Sequence, residues 1–152
     1  MENLAEIQRA TFERATDATQ WSYPPERRLS AEALDRYLDR RSFAVVATTR
    51  LDDRPHAAMS SYMRRGPTFW LPMVAGSVRE RNVRRHPWVS LVVTEGDRGE
   101  HVVVLVEGPA QVIDPGEVPV DISTGASEEW VSLWMRLDAE RVLSYSAEGV
   151  AL

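Results

Sequence analysis

Apolar and polar positions along the chain change period three times. From Asn3 to Thr19, Leu4, Ile7, Ala10 and Phe12 form a loose stripe at helical spacing. Trp21-Ser22-Tyr23-Pro24-Pro25 ends it, because the prolines do not continue a helix. A second helix starts at the N-cap Ser30, with Glu32 in its first turn and Leu34, Tyr37 and Leu38 on one face. From Phe43 the texture is β: a β-branched run to Arg50, the turn Leu51-Asp52-Asp53-Arg54, and a partner strand from Pro55 to Met63. After the turn Arg64-Arg65-Gly66-Pro67, further strands are expected at Thr68–Leu71, Trp88–Thr94, His101–Glu107 and Arg141–Ser146. Gly108-Pro109 is expected to interrupt the fifth strand as a bulge or edge position before Ala110–Ile113 extends it. Short strands with hairpin-length loops predict an antiparallel barrel or sandwich.

Two helical pieces interrupt this pattern. Ser77–Arg85 contains no breaker and stops at His86-Pro87. Glu128–Leu137, with Ser127 as N-cap, sets Trp130, Leu133, Trp134 and Leu137 at the i, i+3, i+4, i+7 spacing of a buried helical face. Asp114–Ala126, rich in Pro and Gly, is expected to be a long surface loop.

Composition narrows the chemistry. The 152 residues suit one domain, with residues 1–29 as a helical arm and 30–152 as the domain proper. No cysteine is present, which removes disulfides, thiolate zinc sites and cysteine nucleophiles. All basic residues are arginine, so lysine Schiff-base chemistry is absent. Acidic residues outnumber basic ones, 23 to 18, against the basic surface of a nucleic-acid binder. No apolar run nears the roughly 20 residues of a membrane helix, and the N-terminus lacks the charge-then-apolar order of a secretory signal. The expectation is a soluble cytoplasmic protein with no nucleic-acid or membrane partner.

The most informative run is Gly76-Ser77-Val78-Arg79-Glu80-Arg81-Asn82-Val83-Arg84-Arg85-His86-Pro87. Ser77, Arg79 and Asn82 fall near a helix start, where free N–H groups and a guanidinium suit a phosphate. Composition alone reads the same run as a solvated arginine face with Ser77 as a plain N-cap, and both readings stand at this point. His56, His86 and His101 have no metal-site spacing, and no metal site is expected. No nucleophile elbow or phosphate loop is present. The tryptophans are most simply packing residues.

Taken in order, several stretches resemble the pyridoxamine-phosphate-oxidase-like, flavin-binding split-barrel superfamily. They are Phe43-Ala44-Val45-Val46-Ala47-Thr48, Asp52-Asp53-Arg54-Pro55-His56, Ser77-Val78-Arg79-Glu80-Arg81-Asn82-Val83, Pro87-Trp88-Val89-Ser90-Leu91 and Val104-Leu105-Val106-Glu107-Gly108-Pro109-Ala110. The run Arg-Asn-x-Arg-Arg-x-Pro is most similar to an actinobacterial branch that uses the deazaflavin coenzyme F-420 or FMN. The resemblance implies a mainly β, α+β fold: a six-stranded antiparallel split β-barrel with flanking helices, forming a homodimer with cofactors at the interface. It also implies an oxidoreductase moving a hydride to or from a small-molecule substrate, with no obligatory catalytic side chain. Carried over by position, Ser77, Val78 and Arg79 flank the phosphate, with Asn82 beside them. His56, Ala58, Met59, Ser60 and Met73 line the ring, and Tyr145 reaches the other subunit's site.

The chain departs from that pattern at Pro72-Met73, where hydroxyl residues are common, at Val78, where arginine is frequent, and at Asp53, which replaces a turn glycine. The C-terminal residues that recognise pyridoxamine phosphate have no clear match, so that oxidase activity is not expected. The alternative function is a non-catalytic flavin or deazaflavin carrier or sensor. A third is a dimer whose pocket has lost its cofactor. Tyr62 and His56 are the candidate proton donors.

Overall fold

The computed structural model describes residues 2–125 and 129–152. It contains α1 (Leu4–Glu13), α2 (Asp17–Ser22), α3 (Ala31–Arg40), β1 (Phe43–Thr49), β2 (Pro55–Ser61), β3 (Met63–Arg65), β4 (Thr68–Met73) and α4 (Val78–Arg85). These are followed by β5 (Trp88–Glu95), β6 (Val102–Ile113), α5 (Val120–Thr124), β7 (Leu133–Asp138) and β8 (Arg141–Ser146). Every pair in the sheet is antiparallel, in the order β2-β1-β5-β6-β7-β4-β3, with β8 also on β6. The result is an α+β antiparallel split barrel.

Among the described residues there are eight strands, two beyond the six of the pattern. β3 separates from β2 at Tyr62, whose N–H donates to Ser42 O at 3.1 Å. The other addition is β7, which replaces the helix expected over Glu128–Leu137; its N-cap Ser127 lies outside the described residues. β7 lies between β4 and β6. Met135 and Leu137 enter the barrel core, whereas Trp134, on the face it shares with Arg136 and Asp138, joins Trp70, Ile113, Val118 and Ile122 in a second cluster. Apolar Leu133 and Leu137 on one face and Trp134 on the other reproduce the spacing of a buried helical stripe, and that is why the spacing misled. The second cluster also corrects the expected loop Asp114–Ala126: a 3-10 turn, Pro115–Glu117, and α5 stand there, held by buried Val118 and Ile122.

Nor does Gly108-Pro109 interrupt β6, which runs unbroken for 12 residues. The pair marks where the strand changes neighbours, β8 pairing up to Glu107 and β7 from Ala110. A Cβ on Gly108 would lie 1.9 Å from Asp138 O, so only glycine admits the β7–β8 turn at this distance.

The N-terminal segment closes an edge. α1 begins in a capping box between Asn3 and Glu6 and sends Leu4 and Ile7 into the barrel core. Its Thr11 hydroxyl accepts the Val142 N–H at 3.1 Å. Gln8 and the Leu29 N–H both bond the buried Ser144 hydroxyl of β8. These groups occupy the side of β8 that no strand pairs.

Candidate functional site

Ser77 ends the turn after β4, where Gly76 takes φ +80°, and caps α4 by accepting the Glu80 N–H at 3.3 Å. Val78 and Arg79 follow in the first turn, and their N–H groups have no partner among the described residues. Glu80 folds back so that Oε1 accepts the Gly76 N–H at 2.7 Å and Oε2 meets Arg84 Nε at 2.8 Å. Those bonds hold its carboxyl below the usual range. Arg84 thus neutralises the one carboxylate on this helix, and Arg79 keeps its charge uncompensated.

Arg79 points inward. Its Nη1 is buried and has no hydrogen-bond partner among the described residues, and burial lowers the guanidinium's pKa. Beside it, His56 has a buried, unpartnered Nδ1. Burial first, then the charges of Arg50 and Arg79, hold His56 below the ordinary histidine range. Leaving buried polar atoms unpaired is costly, and here two such atoms lie in one neighbourhood.

The register distributes the other candidates. His56, Ala58 and Ser60 lie opposite Thr48, Val46 and Ala44 on the barrel side of the sheet, with His56 at the Arg79 end. Asn82 is buried and donates to the Thr48 hydroxyl, so its amide anchors α4 to β1. Met73 is fully buried in the barrel core. Met59 and Tyr145 face the other way. Met59 lies opposite Val45 and is 62% exposed, and Tyr145 lies opposite Val103 and stacks on His101 at 5.0 Å. The sequence-derived set therefore divides into a cluster at α4, one core residue and an outward-facing pair. Asp53 takes φ +68°, the left-handed geometry its place in the turn requires.

Sequence reasoning missed two things. Arg50 at the end of β1 acts on His56 but sits outside every motif. A cavity of about 610 Å³ opens beside Ser61 and Pro72, walled by Phe43, Tyr62, Met63 and Trp130. Its residues come from six elements and the loops between them, a convergence no local spacing could reveal. Tyr62 is not a free proton donor there: burial pushes its pKa up, and its hydroxyl donates to Leu38 O at 2.6 Å.

Among the described residues no group of three or more His, Asp or Glu could hold a metal ion, and no helix is long and apolar enough to cross a membrane.

The sheet order and the α4 cluster define a split-barrel protein with a basic pocket at a helix start. The family model described as pyridoxamine 5'-phosphate oxidase matches residues 30–151, and the chain belongs to that family. Among solved structures, the conserved hypothetical protein Rv2991 from Mycobacterium tuberculosis is 20% identical with a TM-score of 0.68, covering 82% of this chain and 89% of its own. The FAD binding protein from Mycobacterium smegmatis is 17% identical with a TM-score of 0.61, covering 78% and 95%. The heme storage protein HutZ from Vibrio cholerae is 16% identical with a TM-score of 0.61, covering 79% and 97%. At these identities the likeness is one of fold. No curated protein matches the chain.

Proposed function

We propose that this protein is a cytoplasmic oxidoreductase that binds a flavin-type cofactor, FMN or the deazaflavin coenzyme F-420, with its anionic tail on Arg79. One observation carries the reading: the buried Arg79 Nη1 and the neighbouring His56 Nδ1 have no partners among the described residues. The free N–H groups of Val78 and Arg79 add donors for the same anion. Residues and group fit: Arg79 holds the charge and Ser77 sets the helix start. When bound, such a cofactor supplies hydride transfer to or from a small molecule. The chain's own part is to bind, to orient and to exclude water. The 610 Å³ cavity is within the range of small-molecule sites and is the candidate place for a substrate.

The same reading makes the working unit a homodimer. Met59, Val45, Val92, Leu105 and Leu143 form a row across the outward sheet face, with exposed Phe43 at its margin. Tyr145 shares that face, which favours its role at the partner's site.

A carrier or sensor is the second reading. Pro72 and Met73 favour it, since neither offers a hydroxyl to a phosphate and Met73 is turned into the core.

Fluorescence titration with FMN and with F-420 tests the site. Arg79→Ala is expected to weaken the bound cofactor at least tenfold, about 1.4 kcal/mol. Binding of neither cofactor, or binding indifferent to the substitution, overturns the reading. Turnover of an electron acceptor by the loaded protein separates enzyme from carrier.

A further inference from the structure

The 610 Å³ cavity beside Ser61 and Pro72 has walls of two kinds. Phe43, Tyr62, Met63, Pro72, Ile122 and Trp130 supply apolar surface, and Phe43 and Trp130 each leave about half of theirs open. Rings presented in that way suit a flat apolar partner. The rest of the wall carries two guanidiniums, those of Arg41 and Arg64, and the carboxylate of Asp39.

Two arginines on a cavity wall would suit an anion, but neither is free to meet one. The Arg64 side chain is only 5% exposed. Its Nη1 meets Asp35 at 3.0 Å and Gly66 O at 2.9 Å, while Nη2 and Nε both donate to Asp39, at 2.6 and 3.2 Å. Arg41 sends Nη1 to Glu95 and Nη2 to Thr94 O, both at 3.2 Å. The flanking cations are spent in the same way, Arg40 on Glu95 and Arg65 on Asp121. Four guanidiniums thus answer four carboxylates, and this side of the cavity has no net charge to offer. The polar groups that remain are the Ser42 and Ser61 hydroxyls and one N–H of Arg41, whose buried Nε has no partner among the described residues. Such groups suit a neutral oxygen, because Glu95 already meets the charge of that guanidinium.

We propose that this cavity selects an uncharged, ring-bearing small molecule whose polar group is a carbonyl-type oxygen, and turns away phosphates, carboxylates and sulfonates of the same shape. The selecting device is the pairing of Asp35 and Asp39 with Arg64, which leaves an anion no donor on the buried guanidinium. That the selected molecule is the substrate rests on the flavin-type reading; the selectivity itself does not.

The test uses two fluorescent probes, N-phenyl-1-naphthylamine and its 8-sulfonate, which share one ring body and differ by one negative charge. Both are titrated into the full chain without cofactor at fixed ionic strength, and again into Arg79→Ala, so that a sulfonate held at Arg79 is not counted. The neutral probe is expected to bind about tenfold more tightly than the sulfonate in both proteins. Any apolar surface favours a neutral ring, so the decisive readings come from two variants. Asp35→Asn/Asp39→Asn keeps acceptor oxygens on Arg64 but leaves its charge uncompensated. The sulfonate should then bind about fivefold more tightly, with the neutral probe within about twofold. If the double variant fails to fold, Asp35→Asn alone removes one of the two charges and should move the sulfonate the same way. Trp130→Ala, at a half-exposed position, should weaken the neutral probe about fivefold with no change in thermal midpoint. Equal affinity for the two probes, a sulfonate indifferent to the lost carboxylates, or a neutral probe indifferent to Trp130→Ala overturns the proposal. FMN or F-420 binding that depends on Arg79 would then leave the flavin reading standing. Conversely, a selective cavity in a chain that binds neither cofactor keeps the selectivity and removes its part in hydride transfer.

Discussion

The Asn82 side-chain amide donates to the Thr48 hydroxyl at 3.0 Å, and both residues are buried. This bond ties α4 to β1, and with it Arg79 to the neighbourhood of His56. Asn82→Ala leaves the Thr48 hydroxyl without its donor and is expected to cost about 1–3 kcal/mol in denaturant unfolding. Thr48→Val in combination should show coupling of about 1 kcal/mol, since the two groups act as one. Strictly additive losses would mean that the bond does not hold the helix.

Arg79 should oppose stability and binding to each other. Its buried Nη1 has no partner among the described residues, so the ligand-free fold bears a desolvated charge. Arg79→Met keeps the aliphatic volume and removes that charge. The expected outcome is an unchanged or higher thermal midpoint, by up to about 1 kcal/mol, together with lost cofactor affinity. A strongly destabilised variant would show that Arg79 is a structural residue.

Much of this arrangement is legible in local sequence because local rules produced it. Ser30 and Ser77 cap helices where they were expected to, and the β1–β2 turn falls on Asp52–Arg54, as side-chain capping and turn chemistry require. β7 was not legible, since Trp134 faces one cluster and Leu137 another, a distinction made only by the layers on either side. Asn82 is expected beside a phosphate, whereas its amide goes to Thr48, 34 positions away, a partner no local motif names. Met59 and Met73 failed to join the cluster because strand alternation and core packing decide their direction, and motif position does not.

Gly108 gives the sharpest test of the strand exchange in β6. A Cβ there would sit 1.9 Å from Asp138 O and 3.2 Å from Glu140 N, both backbone atoms that cannot turn aside. Gly108→Ala is expected to cost about 3 kcal/mol or more, or to prevent folding. Gly116→Ala is the control, since nothing lies within 4 Å of its Cβ position, and it should be nearly neutral. Equal stability of the two variants would contradict the described β7–β8 turn.

His56 sets a pH dependence whose sign follows from its surroundings. Burial and the two arginines lower its folded-state pKa beneath the unfolded value of about 6.5. As pH falls below that value, the unfolded chain takes up the proton first, so stability declines until the folded-state pKa is passed and then carries a constant penalty. Unfolding measured from pH 7.5 to 5 should therefore slope more steeply for the wild type than for His56→Gln. An anion bound at Arg79 favours the imidazolium, so cofactor affinity should rise on mild acidification in the wild type relative to that variant. Parallel curves for the two proteins would remove His56 from the site.

The outward sheet face tests the dimer. Val92 lies between Val45 of β1 and Leu105 of β6, in the middle of the apolar row that ends in exposed Met59. Val45, Val92 and Leu105 are only half-buried in the single protomer, and a continuous apolar stripe of this kind is the mark of an interface. Light scattering should find the wild type at twice the 17.2 kDa protomer mass. Val92→Arg would place a charge at the centre of a self-complementary contact and is expected to return the mass to one protomer. Because Tyr145 shares the face, cofactor affinity should fall with dimerisation even though the Arg79 cluster is untouched. A wild type that is monomeric at micromolar concentration, or a Val92→Arg variant that remains dimeric with full affinity, would assign the cofactor site to a single chain.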